Sequence, residues 1–447
     1  MKARLCLHGV DVKHQAQLLG LVKKELKEYK VTYKVKEKYF PDNDMYKCRV
    51  ARFVPQNEEV WLRVYCAWGV LLVSDKLINV ADIIIEYEAG TLAEERVQGI
   101  VRSILESKLH FVLDEYDLAR RIDLLRGRYF LDKLPDYDEK TAMTALRCHI
   151  PWHLYVINKL WEQLLLSGGG QRQLWRQLRV KLRRLRSVLA LVKPLFPKAA
   201  DWQRTLKAQA TALSGVREYD VLLQTCARLR SAQDREAKAA WVLQQQDAEP
   251  VAQSTMLLVA AVPNLQRLLE GLRQQAQARA LQQLKLNQLT FELTQLYMAV
   301  YSWAGAPCCL SLREFFVQRL GKWARKLQEL PQLQPDVQDM EQLHRMRIRL
   351  KRFRYALQSV PELAAASQLL RSLKYLQDLL GVVHDDYVNE QYLVQLVAAY
   401  PELPELRYEV ALLRGYEQAK ADGALEQLSG QWQEFERLLG EWVDGLE

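Results

Sequence analysis

The sequence predicts a mainly α-helical protein: a duplicated set of antiparallel helical bundles preceded by a small α/β domain. Three observations carry that expectation. The residue texture changes near position 140, a basic helical segment recurs 168 residues downstream, and charge is segregated along the chain. At 447 residues the chain is long enough for several domains and a sizeable core.

Residues 1 to about 135 read as the α/β domain. Short apolar or alternating runs at Val31–Phe40, Val60–Val73 and Ala81–Tyr87 predict strands, broken at Pro41–Asp44 and Pro55–Asn57. Ala93–Leu113 has helical periodicity. No run of about 18 apolar residues predicts a membrane span. The start, Met1–Cys6, turns polar too soon for a signal peptide, so a cytoplasmic protein is expected. The seven cysteines are scattered, with no C-x-x-C pair, and are expected to be reduced thiols packed as small apolar groups.

From about 143 onward the chain is rich in Leu, Gln, Arg and Ala at helical spacing. Breaks are expected at Ser167–Gly170, Asp247–Pro250, Gly305–Pro307 and Pro331–Pro335, leaving helices of ordinary bundle length. Within this region Arg179–Arg186 (RVKLRRLR) matches Arg347–Arg354 (RIRLKRFR) position for position, 168 residues apart. Arg204–Lys207 recurs as Arg371–Lys374, and Lys159-Leu160 as Lys326-Leu327, both at 167. Such a period is far longer than a solenoid unit, so it predicts a duplicated bundle, with copies at about 140–300 and 307–445.

The net charge of +9 is modest, but its distribution is not even. Between Glu162 and Asp201 there are nine basic residues and no acid; between Glu341 and Glu362 there are six, plus His344, and again no acid. On a helical wheel Arg172, Arg176, Arg179, Arg183 and Arg186 share one narrow face. Leu174, Leu178, Leu182, Leu185 and Leu189 lie opposite. His344, Arg347, Lys351 and Arg354 repeat the row, backed by Met346, Leu350, Phe353 and Leu357. An ordinary solvated face would intersperse Glu or Asp at i,i+4. A row of like charges costs stability until an anion neutralises it, and arginine's planar fork suits phosphate oxygens.

These segments, with Leu213–Val221 and Leu376–Asp385, resemble the signatures of the CHAD (conserved histidine α-helical domain) family over about 140–445. The resemblance implies two four-helix bundles related by a pseudo-twofold and binding of inorganic polyphosphate in a basic cleft lined by the two Arg/Lys-rich helices. For some members it implies residence at polyphosphate granules. Lys207 and Lys374, in the third helix of each half, are expected to face the same cleft. Lys159, Arg204, Lys322, Arg325, Lys326 and Arg371 are further candidates. Arg176 stands where the family's first histidine is usual, and Ser214 and Glu218 replace the usual Gly and Asp.

Other signals are set aside. Asp220, His384 and Asp385 are expected at helix starts or turns, where a carboxylate can cap a helix or hold an arginine. Cys148–His153 resembles a metal pair, but Pro151 is expected to interrupt its helix. Gly168–Gly170 lacks the Lys-Ser/Thr of a P-loop and reads as a flexible loop. CHAD domains often follow a CYTH, or triphosphate-tunnel, domain whose first strand carries Glu-x-Glu-x-Lys. Ala3–His8 lacks it, and Lys34–Lys38 has one carboxylate, so an active tunnel enzyme is not expected. The reading is therefore a polyphosphate-binding protein that is not an enzyme and needs no metal or cofactor. The alternatives are a nucleic-acid binder and a phosphohydrolase acting on polyphosphate or triphosphate.

Overall fold

The computed structural model describes residues 2–9, 15–26, 31–39, 47–55, 61–73, 76–89, 91–107, 109–114, 142–246, 262–284, 288–302, 310–330, 340–359 and 367–446. The breaks expected at Asp247–Pro250, Gly305–Pro307 and Pro331–Pro335 lie outside the described residues, as does the connection before 142.

The N-terminal strands are β1 (Lys2–Gly9), β2 (Val31–Tyr39), β3 (Lys47–Pro55), β4 (Leu62–Val73), β5 (Lys76–Glu88) and β6 (Phe111–Asp114). They form one sheet in the order β2-β3-β4-β5-β1-β6, with every described pairing antiparallel. Two helices join them, α1 (Gln15–Glu25) and α2 (Leu92–Glu106). Leu18, Val22, Val97, Val101 and Ile104 are buried, as an amphipathic helix packed on a sheet requires. The sequence expectation of a helix from Ala93 to Leu113 is corrected: α2 stops at Glu106, and Phe111–Asp114 pairs with β1. A strand also forms at Lys2–Gly9, which sequence reading had not marked. Its centre is buried on both faces, so Leu5-Cys6-Leu7 lacks polar alternation.

The remaining helices are α3 (Ala142–Leu166), α4 (Arg172–Val192), α5 (Ala199–Ala212), α6 (Ser214–Gln246), α7 (Pro263–Leu284) and α8 (Gln288–Tyr301). They are followed by α9 (Leu312–Gln328), α10 (Met340–Leu357), α11 (Ser367–Ala399) and α12 (Pro404–Asp444). The fold is mainly α. Helices α6, α11 and α12, of 33, 33 and 41 residues, exceed the ordinary length expected. The duplication is unequal in its breaks: the first copy divides at Leu213 between α5 and α6, whereas the corresponding Leu380-Gly381 lies inside α11.

Two sequence expectations about α3 are overturned. The helix runs through Pro151. The backbone bond that proline removes is outweighed by burial of its neighbours, for Ile150, Trp152, Leu154 and Ile157 all lie in the core. The glycine run after it is a defined cap rather than a flexible loop. Gly169 N–H donates to Leu164 O (2.9 Å) and Gly168 N–H to Leu165 O (3.1 Å), with φ of 56° at Gly168 and 78° at Gly169. That is a Schellman turn, and its left-handed backbone favours glycine. The Trp175 indole N–H closes it by donating to Gly169 O at 2.8 Å.

The chain forms two compact units, each drawing on two stretches of sequence. The first comprises Met1–Leu213 with Arg279–Phe315, and the second Ser214–Ala278 with Phe316–Glu447. Compactness therefore does not follow the order of the repeats. In the first unit the sheet packs on α3 and α8: Thr290 Oγ1 donates to Phe111 O (2.7 Å) and Tyr297 Oη to Arg4 O (3.1 Å). His8 of β1 lies 2.8 Å from Asp82 of β5, its cross-strand neighbour, and 3.3 Å from Glu162 of α3. In the second unit a leucine-rich core joins α6, α7, α11 and α12. The buried Glu409 carboxylate of α12 caps α7, accepting from the backbone N–H groups of Asn264 (3.2 Å) and Leu265 (2.7 Å). Cys6, Cys66 and Cys226 are buried and take part in no disulfide.

Candidate phosphate-binding faces

Helix α4 belongs to the first unit and α10 to the second. On α4 the leucines sort inward, with Leu174, Leu178, Leu182, Leu185 and Leu189 all buried. Of the row opposite, Arg172 and Arg176 are exposed, while Arg179, Arg183 and Arg186 are half-buried. Burial and the neighbouring Arg183 lower the pKa of Arg186 from its ordinary value, the direction expected when cations crowd together. Its Nε is buried without a hydrogen-bond acceptor.

On α10, Met346, Leu350, Phe353 and Leu357 are buried. His344, Lys351 and Arg354 are half-buried, and the Arg354 Nε is again buried with no acceptor. Arg347 behaves differently. It is only 6% exposed, and its guanidinium lies 3.3 Å from Asp385 of α11. Asp385 also receives Arg217 of α6 at 3.4 Å. The carboxylate does hold arginines, but it sits in the middle of α11 rather than at a helix start or turn. His384 is likewise mid-helix, with its Nδ1 3.3 Å from that of His344. Burial, followed by Arg347 and Lys351, acts against charge on His344; burial, Arg347, the His344 ring and Lys351 together outweigh Asp385 and push His384 down to about 4. Asp220, inside α6, holds Arg273 of α7 at 2.6 Å.

The remaining candidates are spread more widely. Lys207 on α5, Lys326 on α9 and Lys374 on α11 are exposed. Lys159 is half-buried and donates to Glu162 at 2.8 Å, so an internal carboxylate already faces it. Burial alone would raise the Glu162 pKa, but Lys159 and His8 outweigh it and hold the carboxyl well below the ordinary range. Arg204 pairs with Asp201 in the same helix at 2.5 Å. Sequence reading did not foresee Arg217 in the Asp385 cluster. Its only sequence signal is that it stands where His384 falls in the other copy, 167 residues on.

Among the described residues no group of three or more His, Cys, Asp or Glu is placed to hold a metal ion. None of the described helices is long and apolar enough to cross a membrane.

The fold and these faces define a helical protein with a twice-used basic helix backed by leucines. The CHAD domain profile matches residues 159–394, more than half of the chain, and the chain belongs to the CHAD family. The match is shorter than the 140–445 over which the sequence resembles the family. Among solved structures, the CHAD domain from the plant Ricinus communis is similar over 68% of this chain and 95% of its own, at 23% identity and a TM-score of 0.49. PptA from Streptomyces chartreusis is similar over 65% of this chain and 98% of its own, at 17% identity and a TM-score of 0.43. No curated protein sequence matches the chain.

Proposed function

We propose that this protein binds inorganic polyphosphate through the basic faces of α4 and α10, and that it does so without catalysing a reaction. The observation that carries the reading is the pair Arg186 and Arg354. They occupy equivalent positions 168 residues apart, and each is half-buried with an Nε that finds no acceptor within the protein. A guanidinium N–H left unmade in a partly buried site is costly, and phosphate oxygens supply the missing acceptor. The acid-free stretches around both arginines and membership of the CHAD family support the same ligand. A polymer with one negative charge per repeat suits a row of cations better than a single compact anion does.

Binding of long-chain polyphosphate to the full chain, followed by calorimetry, tests the reading. Arg186→Gln and Arg354→Gln should each weaken it about tenfold or more. Affinity should fall steeply with salt. Matched affinity for mixed-sequence single-stranded DNA would favour the nucleic-acid alternative. Phosphate release from polyphosphate with Mg²⁺ or Mn²⁺ would show that the protein is an enzyme.

A further inference from the structure

His149 and His153 stand one turn apart on α3, with ring centroids 4.8 Å apart, and are 1% and 2% exposed. Neither ring nitrogen of His153 has a hydrogen-bond partner. Burial, His149, Lys181 and Arg184 all act against its protonation, holding its pKa well below the ordinary value. The ring is therefore neutral, with one N–H and one lone pair both unmade in the interior, an arrangement proteins seldom tolerate.

The internal repeat supplies a control. At the spacing of 167 that relates Lys159 to Lys326, His149 corresponds to Phe316 and His153 to Leu320. Both are fully buried on α9. The fold thus asks only for an apolar residue at these places, and packing does not explain the histidines. Lys181 and Arg184 are also distinct from the phosphate row. At 100° per residue Lys181 falls about 180° and Arg184 about 120° from the centre of the Arg172–Arg186 face. Lys181 lies over the ring of Trp152, 5.7 Å from its centroid, and Trp152 packs edge-on to His153 at 4.8 Å.

We infer that His153, with His149, Lys181 and Arg184, forms a second site in the first helical copy, one that holds a single small oxyanion of the orthophosphate type. The neutral imidazole donates its N–H to an oxyanion oxygen, and the two cationic side chains balance the charge. A metal ion would meet the imidazole lone pair but would sit beside Lys181 and Arg184, whose charges repel it. A buried water would satisfy the ring without needing the cations. The second copy, with Phe316 and Leu320, has no such site. The inference is independent of the polyphosphate reading.

The test uses the full chain with ¹⁵N-labelled histidine, titrated with inorganic phosphate at constant ionic strength and without polyphosphate. The His153 resonances should shift saturably. His153→Leu, which copies the residue of the second copy, should weaken phosphate binding at least tenfold while the protein still melts cooperatively. Lys181→Gln should weaken it several-fold. A His153 signal unmoved by phosphate would overturn the site and leave a buried water in its place. Unchanged phosphate affinity in His153→Leu, or a response to Zn²⁺ alone, would overturn it equally. If His153→Leu fails to fold, the wild-type titration and Lys181→Gln decide.

Discussion

The guanidinium of Arg347 lies 3.3 Å from the carboxylate of Asp385 while Arg347 itself is all but sealed from solvent. One turn back on α10, His344 meets His384, the neighbour of Asp385 on α11. Two residues named from a row of like charges are thus tied to the next helix. Arg347 is a fixed interior cation, and Lys351 and Arg354 remain the more open members of that row.

Removing the Asp385 charge takes a facing carboxylate away from the buried Arg347. Asp385→Asn should cost about 2–3 kcal/mol, or roughly 4–10 °C in the melting temperature of that unit. Arg217, its side chain 39% exposed and farther from the carboxylate, contributes less of this. Calorimetric melting checks it; a variant that melts with the wild type would show that the ion pair does not hold α10 to α11.

Glu417 of α12 is buried, accepts from Asn389 at 2.8 Å, and is pushed up to about 7, first by burial and also by Asp386 and Asp385. A carboxyl whose folded pKa lies above its unfolded value keeps its proton better when folded. Stability is therefore greatest below pH about 4.5 and is lost as pH rises towards 7. Glu417→Gln should be more stable than the wild type by on the order of 2–3 kcal/mol at pH 8, with the gap closing near pH 4. Melting curves across that range are the check; a constant gap would mean that Glu417 does not titrate there.

Glu162 carries the opposite sign. Its folded pKa is depressed, so its contribution is present above the ordinary carboxylate range and is lost as pH falls. Glu162→Gln leaves Lys159 without its carboxylate and should cost about 2–4 kcal/mol at pH 7. The penalty should shrink as pH falls below about 4.5, where the carboxyl of the unfolded chain takes up its proton while the folded one still resists it. Chemical denaturation at pH 7 and pH 3 reads this directly.

His344 and His384 resist protonation in the free protein. A polyanion on the α10 face would favour their charged forms, so binding should take up protons and strengthen as pH falls from 7 to 5. Calorimetry in two buffers of different ionisation enthalpy measures the uptake. His384→Gln should flatten the pH dependence; an unaltered slope would place the polyanion away from this pair.

Much of the candidate site was legible because α4 and α10 are amphipathic over several turns. Leu178, Leu182 and Leu185 fixed which side faces the core, and that alone aimed Arg179, Arg183 and Arg186 the other way. The strands around Val31, Leu62 and Ala81 were legible from their apolar runs. β1 was not, because a central strand buried on both faces loses its alternation. Pro151 misled for a related reason: a local rule about proline carries no information about how much burial surrounds it.

By itself the sequence determined the duplication, the mainly helical fold, the CHAD family and the two basic faces, since all of these are periodic or local properties of the chain. Only the tertiary structure decided which cations are already neutralised. Arg347 stands in the same run as Arg354, yet it has a carboxylate from the next helix beside it. Ion pairing depends on which helices pack together. Asp385 meets an arginine 38 residues earlier and another 168 residues earlier, separations at which no pattern along the chain predicts contact.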